Sequence, residues 1–414
     1  MSRIEKSTYR RHRLASIPEG MFGSMMWAAG EFTRKALGAD ILLLTLTTMA
    51  PAVVQGAILF FSRWISSTGP RRLLRRAATV GRLPLVLILL LAIPEVADWA
   101  SEGTGQTVVG YSFLLLITIS ALAQVPITAA WNGVLRANYR DANRGELFGR
   151  AHRYGSFASA ATLLVAGIWL HQNEGAFPWI YAGAAVCGWL ACEIFAGVEL
   201  RDPEKAKPRG LAIDSARAIW KLLLADRRFL RYELGFILYG TAFMASMTAK
   251  PVWTVDAEFL HLDWRVLLGS KALVAIVAVF LAVWFGRKMD RIGPGWLSGF
   301  CFIGLAIYGI ALSLASTPGQ FLFAEAIFGV SMAGVMIAWN MGPVAFAREE
   351  QARQYMAVHV ALVCIRGVVG HTLGGGIVAY WHDPRIVFGL SVGIWLVAAW
   401  VMFGLGRGPE LRQK

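Results

Sequence analysis

The sequence is short of charge, of acidic residues and of cysteine. Only 16% of its 414 residues are Asp, Glu, Lys or Arg, whereas soluble domains carry about a quarter. An ordinary water-soluble domain is therefore a poor description of the chain. The four cysteines, Cys187, Cys192, Cys301 and Cys364, lie inside apolar runs and form no Cys-x-x-Cys pair. They read as small buried hydrophobes and imply neither disulfides nor a metal site. The sequence has no GxxxxGK[ST] phosphate loop and no HExxH. This excludes an ATP motor within the chain and leaves a membrane enzyme without a catalytic constellation. No cofactor is expected.

Apolar residues are abundant. They make up 56% of the chain, with a mean hydropathy of +0.53. They come in runs of roughly 20 residues, enough to cross a bilayer as helix. Only closed hydrogen-bonding structures survive in lipid, and unbroken apolar runs favour helices over the alternating pattern of a barrel. Twelve spans are expected, near 17–37, 40–62, 77–94, 107–134, 152–170, 177–197, 229–251, 265–286, 295–314, 319–345, 355–380 and 385–405. Glu19, Glu31, Arg34 and Lys35 dilute the first. The basic N-terminus, MSRIEKSTYRRHR, is not followed by a compact apolar stretch with a small-residue cleavage site. No removable signal peptide is expected.

The net charge of +14 would suggest nucleic acid in a soluble chain, but its distribution explains it otherwise. Arg71, Arg72, Arg75 and Arg76 share one loop, and Arg136, Arg140 and Arg144 another. Loops 95–106, 171–176 and 315–318, on the opposite side, contain no Lys or Arg. This is the positive-inside bias, and it assigns both termini to the cytoplasm. Anionic inner-leaflet lipid favours the same orientation. Nucleic acid is not an expected partner.

The longest polar connection, 198–228, divides the spans six and six. The expected organisation is a bundle over 1–197, a linker over 198–228 and a second bundle over 229–414. Within the linker, IDSARAIWKLLLADRRFL reads as an amphipathic helix with Ile213, Ile219, Trp220, Leu223 and Leu224 toward one side. Such a helix suits the inner membrane surface. A repeat supports the division. AAWN ends at Asn132 and IAWN at Asn340, 208 residues apart. TGPRR and IGPGW place Gly69 and Gly293 at a spacing of 224. The longer loop AIPEVADWASEGTGQT in the first half accounts for the difference. Matched signals at the same place in each half indicate two related bundles.

Between spans eight and nine the chain reads FGRKMDRIGPGW. Gly293 permits a tight turn, Pro294 suits the first position of a helix, and Asp290 stands where negative charge favours the helix dipole. The cluster is a rigid clip. Its G-x-x-x-D-R-x-G pattern, filled by Gly286, Asp290, Arg291 and Gly293, resembles the cytoplasmic signature of the major facilitator superfamily. The resemblance implies an all-α membrane protein with twelve transmembrane helices in two pseudo-symmetric six-helix bundles. It also implies that Asp290 helps hold the bundles together on the cytoplasmic side in the outward-open state. The first-half copy departs from the pattern, with Ser66 at the acidic position and Ser67 at the arginine position. Span four has Gln124 and Asn132 in place of the arginine of many proton-coupled drug exporters. Span five lacks the GPxxGG pattern, so a drug antiporter is not inferred. Span eleven carries Gly367, Gly370, Gly374, Gly375 and Gly376, spaced for close helix contact.

Ionisable groups within spans need partners or water. Arg366 lies roughly 16 Å into span eleven at 1.5 Å per residue. It is either structurally paired or an anchor for an anionic substrate or proton-site counterion. Glu31 has Arg34 and Lys35 as local neutralising neighbours. Glu325 lies about ten ångströms into span ten and Lys271 at similar depth in span eight. The two either pair, or Glu325 carries a coupling proton. The family resemblance puts spans one, four, seven and ten around a central cavity. Glu31, Gln124, Trp131, Asn132, Tyr239, Glu325, Trp339 and Asn340 are then candidate lining residues, and the Trp-Asn pairs are either lining or interfacial anchors. His371 is a further titratable candidate.

The resulting expectation is a monomeric secondary transporter in a bacterial inner membrane. It would move a small molecule by alternating access, with possible proton coupling and membrane lipid as its other partner. A lipid or lysolipid flippase of the same fold, or a non-transporting sensor or assembly protein, is the alternative.

Overall fold

A computed structural model describes residues 1–56, 65, 67–207, 216–348 and 351–406. Ser66, Ile213 and the end of the second expected span lie outside the described residues. The first part of the chain forms α1 (Arg3–Trp27), α2 (Ala29–Lys35), α3 (Ile41–Gly56) and α4 (Pro70–Gly81), followed by a 3-10 helix, Leu83–Ala92. Next come α5 (Pro94–Ala100), α6 (Gly103–Asn138), α7 (Asp141–Gln172) and α8 (Phe177–Ala196). The short α9 (Pro203–Ala206) and α10 (Ala216–Ala225) lead to α11 (Arg227–Val255). The remainder is α12 (Trp264–Leu314), α13 (Pro318–Phe346), α14 (Ala352–Trp381) and α15 (Pro384–Phe403). No strand occurs among the described residues.

Polar punctuation starts these helices. Ser2 and Glu5 cap α1 reciprocally, each side chain bonding the other's backbone N–H. Asp202, Asp226, Thr317 and Asp383 accept first-turn N–H groups of α9, α11, α13 and α15. In three of these the next residue is proline, whose missing N–H costs nothing at that position. Asp263 performs the same service for α12, accepting from the N–H groups of Arg265 and Val266.

Among the described residues, seven helices are long and apolar enough to cross a membrane by length and composition, or eight with the pair Pro70–Ala92 and Pro94–Ala100, bent by 95°. The first expected span is longer than its apolar core suggested. Helix starts at Arg3, breaks at Ala28 and resumes at Ala29. The predicted clip between spans eight and nine is a sharp break in α12, where Gly293 adopts φ 81° and ψ 164°. No residue with a Cβ takes that conformation readily. Many large apolar side chains stay exposed, among them Phe280, Leu314, Tyr380 and Trp400. Apolar surface on that scale belongs against lipid.

The chain forms two compact units. The first comprises Met1–Leu43, Ala57–Gly210 and Asp263–Ala272. In it α1 packs on α7 and α8, and α4 on α6. A side chain at Gly20 would collide with the backbone of Gly155, so these glycines let α1 and α7 meet. The second unit comprises Leu44–Gly56, Leu211–Leu262 and Leu273–Lys414. Here α11 packs on both α14 and α15. The expected close contact along α14 is present. A Cβ at Gly370 or Gly374 would strike the backbone of Thr241 or Ala245 of α11, and one at Gly375 would strike Thr45. Gly376 has open space instead. In α10, Leu223 is buried while Trp220 and Leu224, one turn apart, are exposed. The expected single apolar face is therefore divided.

Candidate substrate and coupling site

In the second unit Arg366 is buried, 3% exposed, near the middle of α14. One guanidinium N–H donates to the Phe236 carbonyl of α11 at 3.2 Å, and the guanidinium carbon is 5.9 Å from the Phe236 ring centre. Its Nε has no hydrogen-bond partner, and no carboxylate lies within salt-bridge distance among the described residues. A Cβ at Gly240 would meet the arginine side chain, so that glycine makes room for it. One turn before Phe236, Glu233 is wholly enclosed and contacts His359 Nδ1 at 2.9 and 3.0 Å. His359 is two turns before Arg366 on α14, and its Nε2 is buried without a partner. Periodicity thus lines up Glu233 and Phe236 on α11 against His359 and Arg366 on α14. Trp339 meets the His359 ring edge-on at 5.3 Å.

Glu325 lies in the first half of α13 and is fully buried. Of the alternatives open for it, pairing with a lysine is present, and the lysine is Lys250. Both Glu325 oxygens accept from Lys250 of α11 at 3.0 Å, and Tyr308 donates to one of them at 3.2 Å. The Lys250 ammonium also stands over Phe328. Lys250 sits at the end of the seventh expected span, where α11 brings it level with Glu325. His371 is buried and hydrogen-bonds Thr248 at 2.8 Å, and Thr248 reaches Thr48 at 3.1 Å. Tyr239 stacks on Phe302 with its hydroxyl toward Met332.

In the first unit Lys271 contacts Glu31 at 2.8 Å, with its ammonium over the Trp27 ring. Arg34 and Lys35 were expected to neutralise Glu31. Instead Arg34 donates to the Ala39 carbonyl at 2.6 Å and Lys35 faces Trp264. Gln124 accepts from Arg82 at 2.7 Å and donates to Thr128. Trp131 stacks on Phe195 with centres 3.8 Å apart. Asn132 and Asn340 are exposed, and Asn340 donates to the Met336 carbonyl of its own helix. Asp290 and Arg291 are exposed beside the break at Gly293, and Gly286 has open space where a side chain would be. Asp290 has no ion-pair partner among the described residues.

Five site residues were absent from the sequence-based set: Arg82, Glu19, Glu233, Lys250 and His359. Arg82 is completely buried between α4 and the 3-10 helix. It donates to both Glu19 oxygens at 2.6 and 2.8 Å and to Gln124, and its guanidinium lies 4.3 Å from the Phe22 ring centre. The rule that flagged Arg366, a charge inside an apolar span, also applies to Arg82 in GRLPLVLILLLA. A second signal is a repeat. Glu19 and Phe22 on α1 correspond to Glu233 and Phe236 on α11, each three residues apart, and each phenylalanine has a buried arginine over its face. The arginine comes from the third expected span in one unit and the eleventh in the other.

A family model described as Major Facilitator Superfamily matches residues 14–371. No protein of curated function matches the sequence. Among solved structures, the nucleoside transporter NupG aligns at a TM-score of 0.71 and 11% identity, covering 96% of this chain and 98% of its own. A D-xylose-proton symporter aligns at 0.64 and 17% identity, covering 98% and 99%. A POT family transporter in complex with 5-aminolevulinic acid aligns at 0.68 and 12% identity, covering 98% and 96%. At these identities the likeness establishes fold.

Proposed function

The chain belongs to the Major Facilitator Superfamily, and from that premise we propose that it is a secondary active transporter for a small molecule bearing an anionic group. It has the all-α fold of twelve membrane helices in two pseudo-symmetric six-helix bundles, a transporter architecture rather than an enzyme's. Substrate binds near the midplane, and the bundles expose it to each side in turn. Net transport requires substrate and coupling ion to favour different states. Asp290, exposed beside the break at Gly293, helps hold the bundles together on the cytoplasmic side in the outward-open state.

The observation that carries the anionic substrate is Arg366. A cation taken out of water costs several kcal/mol unless compensated. Here a carbonyl and an aromatic face provide only partial compensation. A carboxylate or phosphate on the substrate completes the shell, with the two-pronged geometry that a guanidinium favours. Glu325 and Glu31 are the proton-coupling candidates. Each is buried against one lysine, so protonating the carboxylate would break an ion pair and release a conformational constraint. The D-xylose-proton symporter, of the same fold, supports proton coupling as the driving mode.

A thermal-shift screen of purified protein identifies a ligand, and flux of that ligand into proteoliposomes is measured under an imposed pH gradient. Arg366→Ala is expected to abolish flux while the protein remains monodisperse. Wild-type uptake by that variant refutes the assignment. Gradient-independent flux removes the proton from the mechanism.

A further inference from the structure

The first unit contains a cavity of about 470 Å³, away from the intramembrane charges, lined by Arg136, Arg140, Arg144, Arg201 and Lys205 and by a single acid, Asp202. We propose that this cavity binds a phosphate group, carried either by an anionic lipid headgroup or by a small soluble phosphate.

The walls are braced before any ligand arrives. Asn138 at the end of α6 is fully buried. Its amide donates to Thr8 of α1 at 2.8 Å and to the Glu199 carbonyl at 2.7 Å, and its oxygen accepts from the Arg201 N–H at 3.0 Å. One side chain thus fixes three separate segments around the cavity. Arg136 donates to the carbonyls of Lys205 and Lys207 at 2.9 and 3.0 Å, which ties the linker side to α6. The single acid is occupied, because Asp202 Oδ1 accepts the N–H groups of Glu204 and Lys205. Glu5, outside the lining, accepts from the Arg140 N–H and meets its Nε at 3.7 Å, and the Arg140 side chain is 61% exposed. Positive charge therefore outnumbers negative charge in a preorganised concavity, and guanidinium groups match phosphate geometry well. The positive-inside bias assigns this loop to the cytoplasmic face, where anionic lipid and soluble phosphates both occur.

Binding is measured on the full-length protein in phosphatidylcholine nanodiscs, with phosphatidylglycerol added to the bilayer or inorganic phosphate to the buffer. The pocket variant is Arg140→Gln with Arg201→Gln. The control, Arg72→Gln with Arg76→Gln, removes the same charge from exposed sites on α4. Saturable binding of one probe by the wild type is expected. It should weaken about tenfold or more in the pocket variant, as loss of two basic contacts near anionic lipid implies, and persist in the control. Saturation by phosphatidylglycerol alone identifies a headgroup, and saturation by inorganic phosphate in pure phosphatidylcholine identifies a soluble ligand. Equal weakening in both double variants, or no saturable binding of either probe, overturns the proposal. Lys205→Gln, at an exposed position, serves as the second variant should the first not fold.

Discussion

Replacing Lys250 with methionine removes the ammonium and keeps most of the side-chain volume. Among the described residues, Glu325 then retains only the Tyr308 hydroxyl. Its side chain is 1% exposed and that of Lys250 4%, so water cannot take over the missing role. At 3.0 Å, the attraction of unit charges is about 5 kcal/mol for an effective dielectric near 20. Desolvation of both ions consumes much of that, which is why a buried pair adds little net stability, yet removing one partner costs about 3–5 kcal/mol. Lys250→Met should therefore lower the thermal midpoint in detergent by several degrees. Glu325→Met should do the same by stranding the ammonium. The double variant should recover most of the loss, with a coupling energy of about 2–4 kcal/mol across the cycle. Flux separates structure from mechanism. If Glu325 carries the coupling proton, the refolded double variant does not accumulate ligand against its gradient. Additive losses across the cycle would show that the two groups are not coupled and would refute the reasoning. Full proton-driven accumulation by the double variant would assign the pair to structure alone.

The same cycle on Glu31 and Lys271, with both replaced by methionine, should recover stability lost in either single variant, as read from thermal midpoints. Gly240→Leu should displace the Arg366 side chain and reduce flux severely, while Gly376→Ala, with open space around it, should leave both flux and stability unchanged. Arg82→Met should destabilise the first unit by about 3–5 kcal/mol because Glu19 and Gln124 lose their buried partner, and Arg82→Lys should recover only part of this, since an ammonium has too few donors for both Glu19 oxygens, Gln124 and the Gly188 carbonyl. His12 lies outside the apolar core of the first span, beside Trp131, Phe195, His152 and the Tyr139 hydroxyl, and burial pushes its pKa down to about 4. Its folded value is below the unfolded one, so the unfolded state binds the extra proton. Stability should then fall as pH drops from about 6.5 toward 4, by at most about 3 kcal/mol. His12→Gln should flatten the midpoint-versus-pH curve in that window.

What the sequence conveyed is the lengthwise coordinate of each group. Apolar runs placed the helices, the Gly-Pro turn placed the break at Gly293, and the depth of Arg366, Glu325, Lys271 and Glu31 followed from 1.5 Å per residue. What it withheld is azimuth. Two acids and two bases at comparable depth permit alternative pairings, and only the rotation of each helix about its axis selects among them. A Glu325–Lys271 pair was one of two open alternatives, and the carboxylate is instead met by Lys250. Lys250 was passed over because it stands at the edge of its span, although α11 brings it level with Glu325. The missed Glu233 and His359 are instructive in another way, because a partial record of azimuth was present in the repeat. Glu19 and Phe22 recur as Glu233 and Phe236, and the partner of each acid differs, Arg82 in one unit and His359 in the other. Duplication preserves which face of the first helix is polar, but each copy is free to supply the opposing group from a different helix. Arg82 found its carboxylate and is closed on three sides, whereas in the second unit His359 occupies the carboxylate and Arg366 is left with a carbonyl and a ring. That asymmetry between otherwise matched sites is the physical basis for assigning the ligand's negative group to Arg366 rather than to Arg82.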